Sequence, residues 1–184
     1  MDEGFDLSIR LGTPRDSRLI AHKLEDAPVG IFATPDYLAR RGMPRNLEDL
    51  ASHDCLQFIL PSTGRAMTWI FRDASGQDVD HAFRSRRRVL DDALGCISWC
   101  CAGGGLFQIY HFIAAPMVRR GELVEVLQDF GGRSRQFSIV YPHNRHLSAR
   151  VRAFVDFMRG HLQQPGNAPP AQAPPAPARP PRQR

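Results

Sequence analysis

The sequence has no apolar run long enough to cross a bilayer, so a helical membrane span is excluded. Its opening residues, MDEGFDLSIRLG, are acidic and strand-like and carry no secretory signal. Only four cysteines occur. Without an export signal they read as reduced thiols of a cytoplasmic protein, not as a disulfide framework. No Gly-Lys-Ser/Thr follows the glycines at 103–105, so there is no P-loop. Those glycines come after a helix and before a strand, the reverse of the dinucleotide-binding order. A G-x-S-x-G elbow is absent, and His143 and His146 lie in a loop leading to a helix cap. Nothing assembles a nucleophile, a base and an orienting group. An enzyme, for instance a small hydrolase, is not expected.

What is there fits one ordinary domain or two small lobes. The chain has 184 residues, of which 42% are hydrophobic and 23% charged, a globular composition apart from its end. Residues 164–184, QPGNAPPAQAPPAPARPPRQR, contain no aromatic or branched apolar side chain. Such a segment cannot bury enough surface to offset its ordering entropy, which predicts a disordered tail. Arg179, Arg182 and Arg184 in that tail carry three of the five net positive charges. The remainder is close to neutral, which argues against a nucleic-acid-binding face.

Phe5, Leu7, Ile9 and Leu11 alternate with polar residues at the period of a half-buried strand. Val29, Ile31 and Phe32 form the next apolar run. Thr34-Pro35 reads as a helix cap followed by proline at the first helical position, with Gly42 closing that helix. Asn46 is set to cap a second short helix. Strands are predicted over 56–60, 68–72 and 79–83, with a turn at Ser75-Gly76. The basic cluster RSRRR at 84–88 reads as a solvated strand face. A helix follows Asp91 and Asp92, then a strand over 106–110, a helix over 112–120 and strands over 123–127 and 137–141. Ser148 caps a last helix on which Val151, Phe154, Val155, Met158 and Leu162 recur at helical spacing. Strands alternating with helices predict an α/β fold with substantial parallel pairing.

The cysteine-rich stretch CISWCCAGGGLF has the look of a metal site but lacks its chemistry. Cys96 and Cys100 fall one helical turn apart, yet Cys55 is distant in sequence and no nearby histidine completes a set. Leu94, Ile97 and Cys101 line one helical face, and Ala93, Cys96 and Cys100 the adjoining one. A helix apolar on nearly all sides is expected to be buried, with its cysteines acting as small hydrophobes. The glycines then end the helix and turn the chain into the next strand. No metal and no cofactor are expected.

In order and spacing, EGFDLSIRLG, ATPDYLARRGMPRNLEDLASHDCLQF, AGGGLFQ, GELVEVL and YPHNRHLSARVRAFVDFM resemble the effector-binding domain of LysR-type transcriptional regulators. The likeness runs from about Asp2 to Leu162. It implies a periplasmic-binding-protein-like α/β fold over 1–163, with two lobes joined by crossover strands and a small-molecule cleft between them. One lobe would hold 2–26 and 137–162, the other 29–129. The family's winged helix-turn-helix, linker helix and first strand-helix-strand are not found in this sequence. A truncated regulator with an incomplete first lobe is therefore expected, touching DNA only through a domain it lacks.

The resemblance implies site residues at the cleft mouth. Thr34 would offer a hydroxyl and helix-terminal amides to an anion. Asp91 and Asp92 would stand at a helix start facing the cleft, favouring a ligand with a cationic or hydroxyl group. Phe107 and Gln108 follow the glycine corner, and Arg10 and Gly12 come from the IRLG loop. The implied function is effector sensing by lobe closure. The alternative is a free-standing small-molecule-binding protein or a dominant-negative partner, forming homo-oligomers or hetero-oligomers with full-length regulators.

Overall fold

One strand of fifteen residues, β2 (Leu19–Ala33), organises the chain by serving two sets of neighbours. In the computed structural model, which describes residues 6–11, 18–61, 63–73, 75–143 and 148–162, its first part pairs antiparallel with β9 (Ser134–Pro142). Beyond Pro28 it pairs instead with β7 (Phe107–Tyr110) on one side and β8 (Val124–Val126) on the other. Proline lacks the N–H that a ladder needs, and Pro28 stands opposite Ser134, where the β9 ladder ends. A bulge between Lys23 and Glu25 adds Leu24 to the strand, and Leu24 packs against the smaller of two apolar clusters. That bulge breaks the two-residue period, which is why no strand is legible over 19–26.

The order β1 (Ser8–Leu11), β9, β2, β7 makes one antiparallel sheet, and the substantial parallel pairing expected from the sequence is not found among the described residues. Parallel pairing is confined to β3 (Gln57–Ile59) with β6 (Arg88–Leu90) and to a bridge between Cys55 and Leu106. The strand–helix alternation does give strands of common direction. β7 and β8, linked by helix α3 (His111–Arg119), both run antiparallel to β2, which stands between them. The inserted strand is what converts a parallel layout into an antiparallel one.

Helix α1 (Pro35–Arg41) starts as its sequence dictates. Thr34 Oγ1 accepts from the Tyr37 N–H at 3.2 Å, Pro35 occupies the first turn, and Gly42 closes the helix. Asn46 Oδ1 accepts from Asp49 N at 2.9 Å and opens a 3-10 turn, Glu48–Ser52. In helix α4 (Ala149–Leu162), Ser148 Oγ accepts from Val151 N, the expected cap. Phe5, Gly12, His146 and the tail from Gln164 lie outside the described residues.

Two basic and apolar expectations need correcting. Residues 84–87 form a loop between β5 (Asp78–His81) and β6, not a strand face, because the Ser85 side chain donates to Cys55 O and only the Arg87 carbonyl meets β3, accepting from Gln57 N. Helix α2 (Ala93–Cys101) buries only the Cys96, Ile97 and Cys100 side, while Leu94 is 72% exposed. It packs against β2, β3, β6 and β7 from one direction, so its far side meets water. The helix ends in a Schellman closure, with Gly103 N bonding Cys100 O at 2.9 Å and Gly104 N bonding Trp99 O at 3.0 Å.

The larger apolar cluster joins Phe32, Tyr37, Trp69 and Phe71 to the buried face of α2. Side chains of that size each contribute about 1.5–3 kcal/mol on burial. The smaller cluster has Ile139, Tyr141, Val151 and Val155 at its centre.

Burial pushes the thiols up, to about 12 for Cys55 and Cys100 and about 11 for Cys96. Cys101 is raised by the same cause but lies partly open, against Met117 Sδ at 3.5 Å. Since the thiolate is the reactive form, a disulfide reagent at pH 8 should modify Cys101 first and the other three only on unfolding. Fast modification of all four in the native protein would contradict this burial. Cys100→Ser should cost about 1–2 kcal/mol, from a hydroxyl placed in an apolar site. Elemental analysis should find no zinc before or after that change.

Candidate functional site

Gln108 and Tyr110 alternate with the core residues Phe107 and Ile109 along β7, so they share the opposite face of the sheet. Arg135 and Phe137 share a face of β9 in the same way. The two pairs meet where β2 changes partners. Arg135 Nη2 donates to Thr68 O and, at 3.4 Å, to Gln108 Oε1. The Tyr110 and Phe137 rings lie 5.4 Å apart. Gln108 is pinned by Ile70, accepting from its N–H at 3.1 Å and donating to its carbonyl at 2.9 Å. This is a ladder contact made by a side chain, and it ties β7 to strand β4 (Trp69–Arg72).

The result is a strip of one amide, one guanidinium and two rings across the strand junction. Burial lowers the Arg135 pKa, with Tyr110 and Asp80 acting against it. Burial raises Tyr110, with Arg135 opposing. The neighbouring Arg133 is held by Asp78 and Asp80, its Nη1 at 2.9 Å from Asp80 Oδ1. Arg135 instead directs Nη2 to neutral oxygens, and among the described residues no carboxylate lies within ion-pair distance of it.

The residues expected from the sequence do not gather in one place. Thr34 follows β2 where β7 begins, close to Gly103. Asp91 follows β6 in the separate two-stranded sheet with β3, its N–H bonding Ile59 O at 3.4 Å with φ of 57°. Asp92 caps α2 there, with Oδ1 accepting from Gly95 N at 2.6 Å. Phe107 is in the core, whereas Gln108 belongs to the strip. Arg10 sits on the exposed strand β1 opposite Ser138, with its Nε on Ser8 Oγ. Gly12 is outside the described residues. Tyr110, Arg135 and Phe137 were missed. The signal that finds them is the two-residue period in FQIY and SRQF, read jointly for the face turned from the core.

A family model described as the LysR substrate binding domain matches residues 1–163. The transcriptional regulator CrgA of Neisseria meningitidis is 31% identical over 162 residues, covering 86% of this chain and 52% of the relative. The solved CrgA regulatory domain superposes with a TM-score of 0.70 at 28% identity, covering 85% of this chain and 75% of that one. The full-length Vibrio cholerae virulence activator AphB gives 0.71 at 29% identity, covering 85% and 52%. This chain therefore spans about half the length of the curated relatives it matches. Those relatives are named as transcriptional regulators, not as enzymes, in agreement with the sequence. The likeness covers both apolar clusters and the junction between them, and the chain belongs to the LysR-type transcriptional regulators, carrying their substrate-binding domain in its periplasmic-binding-protein-like α/β fold.

Proposed function

We propose that this domain senses a small metabolite held against Gln108, Tyr110, Arg135 and Phe137, with Asp91 and Asp92 as a second contact. The observation that carries the reading is Arg135, a half-buried guanidinium whose Nη2 donates to a carbonyl and an amide oxygen. A carboxylate there supplies the missing charge, and a bidentate pair with arginine is stronger than either neutral contact. The acids at 91 and 92 favour a second group of opposite character. The effector is then a hydroxy- or amino-carboxylate whose apolar part lies on the two rings. Thr34, which follows β2 where β7 begins, has no part in it.

The two apolar clusters support a division into lobes, 2–26 with 137–162 and 29–129, around this junction. Binding shifts the balance between open and closed lobes, and linkage passes that shift to a DNA-binding domain elsewhere in the regulator. DNA, a second subunit and the cytoplasmic setting belong to that whole regulator. A panel of hydroxy- and amino-carboxylates should contain at least one compound that raises the melting temperature. Arg135→Gln should abolish the shift while costing about 1–3 kcal/mol of stability through lost hydrogen bonds. A panel without effect, or a shift that survives in Arg135→Gln, would sink the assignment.

A further inference from the structure

A groove of about 540 Å³ opens between the 3-10 turn Glu48–Ser52 and the loop that follows β5. Asp54 and Cys55 line it just before β3, and Arg87 lines it just before β6. It thus lies at the end of the sheet opposite Asp91 and Asp92, and is independent of the site proposed above.

The loop wall is held by bonds that need no ligand. The buried Gln57 donates from Nε2 to Phe83 O at 2.6 Å and from its backbone N–H to Arg87 O at 2.9 Å. Ser85 Oγ donates to Cys55 O at 2.5 Å and accepts from Arg87 N at 2.9 Å. Backbone fixed in this way presents its arginines from defined points. Arg87 is engaged by Asp54, which Arg41 also approaches at 3.8 Å. Among the described residues Arg84 and Arg86 have no carboxylate partner. Glu48, exposed on the facing wall, is the acid that offsets them in part.

The remaining walls add donors and a flat surface. The Tyr37 hydroxyl accepts from Asp54 N at 2.8 Å and lies 3.1 Å from His53 Nδ1. Burial, reinforced by Arg41 and opposed by Asp49 and Asp54, lowers the His53 pKa. His81 and Phe83 stack at 5.9 Å with 27° between their planes, forming an aromatic ledge.

We infer that this groove is a second ligand site, for a small phosphate monoester with a flat ring body. Its phosphate would sit between Arg84 and Arg86, and its ring on the His81–Phe83 ledge. A monoester carries about −1.5 to −2 at pH 7, which matches two unpartnered guanidiniums better than a carboxylate does. Planar guanidinium forks also suit phosphate oxygens in pairs.

Calorimetric titration of the full chain with phenyl phosphate and adenosine monophosphate tests this, with inorganic phosphate and benzoate as comparators. One of the two esters should bind at least about tenfold more tightly than either comparator. Arg84→Gln with Arg86→Gln should weaken it by about tenfold or more, while Arg135→Gln leaves it unchanged. Both arginines are exposed, and circular dichroism will confirm that the double variant is folded. Three results would overturn the inference: no ester binding at millimolar concentration, equal binding by the double variant, or binding that physiological salt removes entirely, since that last would be diffuse charge attraction.

Discussion

Gly105→Ala is expected to remove about 3 kcal/mol or more of stability, enough to leave much of the protein unfolded at 37 °C. Gly105 has φ of 147°, and a Cβ there would stand 2.0 Å from the Asp54 carbonyl oxygen and 2.9 Å from its carbon. Neither chain can yield. Leu106 N bonds that same Asp54 oxygen at 2.8 Å, and Leu56 N bonds Leu106 O at 2.8 Å, so moving one backbone breaks both contacts. Leu56 and Leu106 are completely buried on either side, and a shift would open the core as well. Gly42→Ala supplies the control. Gly42 has φ of 84° but nothing within 4 Å of its Cβ position, so it should cost only the conformational strain, about 1 kcal/mol. Urea denaturation of both variants decides the matter. Similar losses in the two would mean that the Asp54–Gly105 approach relaxes and carries no special weight.

That contact also marks the boundary of what could be read from the residues alone. The glycine run was legible as the end of a helix, because a Schellman closure needs only neighbours in sequence. Its backbone approach to Asp54, some fifty residues earlier, was not. Thr34, Asn46 and Ser148 were legible for the same local reason, each capping the turn it precedes. Strand direction was not, because the insertion of β2 between β7 and β8 rests on pairings across seventy residues and more.

The candidate site repeats the pattern. Of the residues in the proposed site, Gln108 stands in a motif, but Arg135 lies on a distant strand and comes beside it only once β7 and β9 are brought against the ends of β2. The cap at Thr34 was legible, but which end of β7 it stands beside depends on the direction of β2. The RSRRR loop shows the complementary case. Its composition was plain, while its anchoring comes from Gln57 on β3 and from the Cys55 carbonyl just before that strand.

The half of the molecule built on β1 and α4 should open far more readily than the half built on β7 and α2. Among the described residues β1 pairs only with β9, which leaves its outer edge without a neighbour. Ile9 is 49% exposed on that strand and Phe157 63% exposed on α4. An unpaired edge beside exposed apolar side chains is a template for another chain. The cluster beneath them has few fully buried members, against the many that surround Trp69 and Phe71. Local opening follows such differences in burial, so amides in Ser8–Leu11 should exchange roughly a hundredfold faster than those in Phe107–Tyr110. Sedimentation should show association that grows with concentration, and replacing Ile9 and Leu11 with lysine should suppress it, because edge lysines oppose strand addition. Uniform slow exchange in a stable monomer would show that the β1 edge closes on itself, and this account of the weaker half would have to be abandoned.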